Sequence, residues 1–211
     1  GVFGLAAPVA AESGPAVLGT LTVYILAVIV GLVVFVGAVY FPAVRFLGRM
    51  RIPRFVEGTA AGTIVGFGAT SSMAALPVLL ESAEEDLELS PTVSGLVLSL
   101  GASINRAGSA LFQGGAVVFL AHLYDVPMPP AVVVAVVVAV FLASMTVAPI
   151  PSASIFTLAP ALAAAGVPSA GLGLLLGIDR IPDMFRAGVN QIGHMAATVV
   201  VDRLNRAEES T

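Results

Sequence analysis

The first long uncharged segment of the chain, residues 13–44, is followed by a dense group of arginines. The Val/Leu/Ile-rich part from Val17 to Val44 exceeds the ~20 apolar residues that cross a bilayer core. Four arginines follow, at Arg45, Arg49, Arg51 and Arg54. Because cytoplasmic ends of spans are enriched in arginine, residues 13–54 are predicted to form a transmembrane span that ends on the cytoplasmic side.

The second apolar segment, 58–80, has the length of a span but is interrupted by small and helix-breaking residues. The interruptions are Gly62, Gly66, Gly68, Ser71, Ser72 and Pro77. Irregular backbone is tolerated at membrane depth only where protein or a water-filled cavity surrounds it. We therefore predict that residues 55–88 form a re-entrant helical hairpin followed by an acidic, solvated loop.

The rest of the chain repeats this alternation of a hairpin and a span. Residues 89–125 predict a transmembrane span whose middle, 101–109, is polar and flanked by glycine. The neutral stretch 126–178 would be about 80 Å long as one helix, so it has to fold back. Its prolines predict a second re-entrant hairpin over 126–168, and residues 169–211 then form the last span and a cytoplasmic tail.

The charges at the two ends of this pattern support the re-entrant assignment. With both hairpins re-entrant, the chain returns to the side of Arg54, where Arg203 and Arg206 agree with the positive-inside bias. Repeated halves with interrupted apolar segments at matching positions point to the binding site of a secondary transporter. The sequence thus predicts an all-α, multi-pass protein of the cell membrane, with the lipid bilayer as its surroundings.

Composition agrees with a membrane protein and excludes several classes of function. Of 211 residues, 58% are hydrophobic and 10% are charged, against roughly 25% charged in soluble domains. The net charge is −4 and no basic tract occurs, so nucleic acid is excluded as a main partner. The absence of cysteine excludes disulfides and thiolate metal sites. We expect no cofactor other than a coupling ion.

Five polar residues of the last predicted span share one face of a helix. They are Asp179, Asp183, Arg186, Asn190 and His194, at spacings of 4, 3, 4 and 4 residues, and they fall within a roughly 80° sector. Each ionisable group costs ~2.5 kcal/mol or more at the bilayer centre. This face is therefore predicted to line a polar cavity, and an internal Asp–Arg bridge between helices is the simpler alternative.

The polar middle of the preceding span offers a second group of ligands. An unwound helix at 101–109 would free backbone carbonyls, including that of Gly101, and the Asn105 amide to coordinate an ion or a substrate. Close packing of small residues is the alternative. Packing alone gives no reason for a buried guanidinium at Arg106, so we favour a binding role.

The two hairpin tips also present polar groups. Ser71 and Ser72 lie at the first tip, and the segment 149–154, which includes Ile150, lies at the second. Helix N-termini and free backbone amides at such tips favour an anionic group. Both tips are therefore candidate substrate contacts.

In this order, the motifs resemble the dicarboxylate/amino acid:cation symporters, the glutamate-transporter family. The specific matches are Leu100-Gly-Ala-Ser-Ile-Asn105 and Gly177-Ile-Asp-Arg-Ile-Pro-Asp-Met-Phe-Arg186 with Asn190. The resemblance covers essentially the whole chain, and it implies an inverted repeat that forms an elevator-type transport domain. It also implies a homotrimer at full length. Residues 1–12 are expected to end a preceding span, which makes this chain a fragment or a truncated member.

The resemblance implies roles for the polar residues. Arg186 would bind a substrate side-chain carboxylate and Asp183 its amino group, as their charges also favour. Asp179 would orient Arg186. Asn190, Ser72 and Ser109 would complete the pocket, with the tip residues Ser71 and Ile150 beside it.

Two departures from the family pattern bear on ion coupling. The family's Asn-Met-Asp-Gly-Thr stands here as Asn105-Arg-Ala-Gly-Ser109, so Ala107 replaces a sodium-binding aspartate and Arg106 a methionine. His194 replaces the second such aspartate. Hard cations prefer oxygen ligands, and the remaining candidates are Gly101, Asn105 and Asn190. We therefore predict altered or absent sodium coupling, with a proton on His194 as the alternative.

The predicted function is secondary transport of acidic amino acids or C4-dicarboxylates. A non-transporting truncated family member is the alternative of a different kind. An intramembrane aspartyl protease would need aspartates on facing helices, but Asp179 and Asp183 share one helix and the apolar runs of the other predicted spans, 17–44 and 89–124, carry no acid. We therefore predict that the protein is not an enzyme.

Overall fold

Every regular element is a helix in residues 2–209, the part of the chain that the computed structural model describes. In order, the helices are α1 (Val2–Phe35), α2 (Ile52–Ala69), α3 (Ser72–Glu85), α4 (Pro91–Ile104), α5 (Ala107–Leu123), α6 (Pro130–Met145), α7 (Ala153–Phe156), α8 (Ala159–Ala165), α9 (Gly171–Ile178) and α10 (Arg180–Glu209), with π-helical turns at Val36–Tyr40 and Ala43–Leu47. The predicted all-α fold is thus confirmed for this part. Side chains are described for residues 19–208. The segment 1–12, predicted to end a preceding span, lies outside them.

Among the described helices, one is long and apolar enough to cross a membrane. It comprises 29 residues, Gly19–Leu47, and at 1.5 Å per residue it is about 43 Å long. Large apolar side chains on this helix, such as Val23, Val33 and Phe46, are exposed. Pro130–Met145 and Ala153–Ala165 are shorter apolar segments.

Two pairs of helical arms each meet at a short connection, which we call a tip. The first tip, residues 70–71, joins α2 to α3: Thr70 is left-handed with φ 50°, and the Ser71 side chain caps α3 by accepting the Ala74 N–H at 3.4 Å. The second tip, residues 146–152, joins α6 to α7 and α8. The second arm of this pair divides at 157–158, before the first turn of α8 with its Pro160.

The polar break in the middle of the chain is narrower than the expected unwinding of 101–109. Helix α4 continues to Ile104 and α5 begins at Ala107. Asn105 and Arg106 alone leave the helical conformation, with ψ of 102° and 38°. The Gly101 carbonyl keeps a helical hydrogen bond from the Asn105 N–H at 2.9 Å.

Helix α10 is the centre of the fold because it packs against α1, α2, α3, α4 and α5. One apolar cluster, which includes Leu32, Phe112 and Leu158, receives Val189 from α10. A second cluster, built on α2, α3 and α4, receives Met195 and its neighbours from the same helix. The polar residues of α10 are thereby held between two packed bodies of helices.

Candidate functional site

The predicted polar face of α10 is buried. Its members Asp183, Arg186, Asn190 and His194, together with Asp179 directly before α10, are each at most 6% exposed. Buried polar and charged groups need partners to offset their desolvation. The arrangement of those partners defines the site.

Arg186 is held by two carboxylates. Its Nη1 and Nη2 donate to the two oxygens of Asp179 at 2.7 and 3.0 Å, and Nη2 also donates to Asp183 at 2.8 Å. The guanidinium carbon lies 4.0 Å from the centre of the Phe112 ring. An Asp–Arg bridge is therefore present, but it closes within the α9–α10 segment and does not join separate helices.

The same face of α10 binds the backbone of two other segments. Asp183 Oδ2 accepts the Ser152 N–H of the second tip at 3.0 Å. Asn190 Oδ1 accepts the Gly108 N–H at the start of α5 at 2.9 Å. A Cβ on Gly108 would stand 2.6 Å from the Arg186 carbonyl oxygen, so glycine allows this close approach.

The two tips meet above this face. The Ser71 hydroxyl donates to the Pro149 carbonyl at 2.9 Å. Ser72 is buried behind it, where its oxygen accepts from Arg106 Nη1 at 2.7 Å and from Gln191 Nε2 at 3.1 Å. The first tip is thus bonded to the second tip through Ser71, and Ser72, the first residue of α3, is bonded to the helix break and to α10.

Arg106 turns inward from the helix break. It is 5% exposed, and its Nη2 donates to the Ala102 carbonyl at 2.7 Å. No carboxylate among the described residues pairs with Arg106. Its Nε also has no hydrogen-bond partner there.

His194 links α10 to the helix break. Its Nε2 lies 3.1 Å from the Asn105 carbonyl oxygen and its Nδ1 lies 3.1 Å from Gln191 Oε1. Gln191 is not among the predicted site residues. Its position three residues before His194 on the same helix face was the available signal.

A cavity of about 20 Å³ lies between these groups, which is room for roughly one water molecule. Of the predicted site residues, its lining contains Ser72, Arg106, Ser109, Ile150, Asp183, Arg186 and Asn190. The others, Ser71, Gly101, Asn105, Asp179 and His194, are not part of the lining. Sequence reasoning also missed Phe112, because nothing in its surroundings distinguishes it from a core aromatic.

The lining of the cavity includes cationic groups that suit an anion, beside the Asp183 carboxylate. Two guanidinium groups line the cavity, and guanidinium matches carboxylate geometry. In the described part of the chain, no group of three or more His, Asp or Glu side chains could hold a metal.

Comparisons with known proteins match the chain to one family. Residues 1–204 match the Sodium:dicarboxylate symporter family. Excitatory amino acid transporter 2 of Homo sapiens is 33% identical over 192 residues, which are 90% of this chain and 33% of that protein. Excitatory amino acid transporter 3 of Homo sapiens is 31% identical over 189 residues, 89% of this chain and 36% of that protein. The chain therefore spans about a third of the length of these relatives.

Proposed function

Because the chain belongs to the sodium:dicarboxylate symporter family, whose members are transporters and not enzymes, we propose that it forms the substrate-binding part of a membrane carrier. The cargo is an acidic amino acid or a C4-dicarboxylate. The observation that carries this proposal is the buried Arg186 at the cavity, held in place by Asp179 behind it. A preorganised guanidinium is suited to bidentate recognition of a carboxylate.

The remaining lining supports the same assignment. Asp183 carries a carboxylate to the cavity and serves the amino group of an amino acid, if the cargo has one. Ser72, Ser109 and Asn190 supply hydrogen-bonding groups from α3, α5 and α10, and Ile150 lines the pocket from the second tip. Asp179 acts as a positioning residue for Arg186.

We also propose a multi-pass topology in the cell membrane, with both pairs of arms re-entrant. Helices α2, α3 and α6 have 18, 14 and 16 residues, or about 27, 21 and 24 Å, against a hydrocarbon core of ~30 Å. Arms shorter than the hydrocarbon core would bring their tips to the site inside the membrane without crossing it. The chain would work as the mobile part of an elevator-type homotrimer.

Sodium coupling is altered or absent in this proposal. The guanidinium of Arg106 places a permanent positive charge at the cavity, where a bound cation would otherwise supply it. Ala107 and His194 offer no carboxylate, and hard cations prefer oxygen ligands. Of the positions that the family resemblance assigns to ion binding, Gly101, Asn105 and Asn190 keep an oxygen ligand, and the Gly101 carbonyl already accepts one hydrogen bond.

Proton coupling through His194 is the second candidate. Both ring nitrogens face carbonyl oxygens, one of Asn105 and one of Gln191. A doubly protonated imidazole donates from both nitrogens and would satisfy both contacts.

Uptake into liposomes by the protein expressed from its complete gene tests these proposals. Radiolabelled L-aspartate and succinate are supplied in sodium and in choline buffers, with and without an inward proton gradient. Arg186→Ala should abolish uptake of both, while Arg54→Ala, an exposed arginine outside the cavity, should not. A wild-type protein that takes up neither substrate contradicts the function, and a steep dependence on sodium contradicts the coupling proposal alone.

A further inference from the structure

The charges around the cavity do not cancel locally. Asp179 and Asp183 both pair with Arg186, so this group of three carries one net negative charge. Arg106, at the break between α4 and α5, carries one positive charge and pairs with no carboxylate in the described part of the chain. The cavity is therefore lined by a fixed negative centre on α10 and a fixed positive centre at the helix break.

Arg106 is costly to bury in this state. A guanidinium stays protonated in proteins, and a buried charge without an opposite charge is strongly unfavourable. The contacts from Arg106 to Ser72 and Ala102 are to neutral oxygens. Its Nε has no partner among the described residues, although the side chain lines the cavity. A carboxylate in the cavity would supply the negative charge and the hydrogen-bond acceptor that Arg106 lacks.

We infer that Arg106 binds the α-carboxylate of an α-amino acid whose ammonium group lies on Asp183. This inference rests on the proposed function and selects, from its two cargo classes, the amino acid. The ammonium and α-carboxylate of one ligand then match the two fixed centres in sign. An acidic side chain would use the remaining N–H groups of Arg186, of which Nε is unpartnered among the described residues.

Counting charges separates the two cargo classes. The two arginines and two aspartates of the site sum to zero. A bound aspartate leaves one net negative charge in the buried site, whereas a C4-dicarboxylate leaves two and brings no ammonium group to Asp183. Since each uncompensated buried charge is costly, the site favours the amino acid.

A ligand pair isolates the contact to Arg106. L-Asparagine has a free α-carboxylate and an amidated side chain, and L-isoasparagine has the reverse, so the two have the same composition and charge. Equilibrium binding of L-aspartate, both amides and succinate to the purified full chain is measured by titration calorimetry. The proteins are wild type, Arg106→Gln, Arg106→Lys and the exposed control Arg54→Gln.

We expect Arg106→Gln to weaken L-aspartate and L-asparagine on the order of 10- to 100-fold, as for loss of a charge-assisted hydrogen bond. L-Isoasparagine, which lacks the α-carboxylate, should change less than about 3-fold. Arg106→Lys should recover part of the loss, since it restores the charge without the planar fork. Arg54→Gln should leave all four affinities unchanged.

Several results would overturn the inference. Equal weakening of L-asparagine and L-isoasparagine by Arg106→Gln would mean that the α-carboxylate lies elsewhere. Wild-type succinate binding as tight as L-aspartate binding would remove the role of the ammonium group, while the proposed transport of acidic cargo would survive. No binding of either L-aspartate or succinate by the wild type would instead refute the proposed function itself.

Discussion

Neutralising Asp179 tests the physical basis of the site, because this residue lies behind the cavity lining. Both of its oxygens accept from Arg186, at 2.7 and 3.0 Å, and its side chain is 1% exposed. Asp179→Asn keeps the shape but replaces one acceptor oxygen with an N–H donor that faces the guanidinium. Removing one partner of a buried ion pair costs ~3–5 kcal/mol. Asp183 remains paired with Arg186 and limits the loss to the lower end of that range.

The expected loss is large enough to measure by thermal unfolding. At about 2–4 °C per kcal/mol for a chain of this size, Asp179→Asn should lower the Tm by roughly 6–12 °C. The chain contains no tryptophan, so far-UV circular dichroism of the detergent-purified protein is the suitable signal. Asp125→Asn is the matched control, because Asp125 is exposed. A Tm for Asp179→Asn within about 2 °C of the control would show that the pair does not hold Arg186 in place.

Two further predictions concern packing and topology. Gly108→Ala should destabilise the protein by about 1–3 kcal/mol, since the added Cβ would meet the Arg186 backbone. Gly114→Ala on the same helix, where an added Cβ has nothing within 4 Å, should be neutral or slightly stabilising. Equal denaturation midpoints for the two variants would contradict the packing argument. The chain has no cysteine of its own, so single introduced cysteines can be labelled selectively. Cysteines at Arg49 and Arg206 should resist an impermeant label added outside intact cells, and one at Pro129 should react. Labelling of one arginine site without the other would refute the proposed topology.

The polar face of α10 could be predicted from sequence because it depends on one helix alone. Spacings of 4, 3, 4 and 4 residues fix which side chains share a face, and the hydrophobic surroundings leave that face no alternative to burial. The narrow break at 105–106 was harder to predict. Helical hydrogen bonds persist wherever the residue types permit them, so the glycines and serines of 101–109 did not unwind the whole stretch.

The partners of this face could not be predicted from local pattern. Gln191 and Ser72 are 119 residues apart in the chain, and Ser152 and Asp183 are 31 apart. Such contacts depend on how the tips dock on α10, which periodicity does not encode. The Asp179–Arg186 pair could be predicted because both residues lie within two turns of the same segment. The cation–π contact to Phe112 could not, because it depends on the docking of α5.

The hydrogen bond between the two tips sets how tightly any cargo will be measured to bind. The cavity of about 20 Å³ holds roughly one water molecule, so the proposed amino acid cargo would enter only after Ser71 and Pro149 part. The observed dissociation constant is then the intrinsic constant divided by the fraction of molecules with parted tips. One hydrogen bond of ~1 kcal/mol changes that fraction about fivefold. A change that weakens the contact between the tips therefore raises the apparent affinity without touching the ligand.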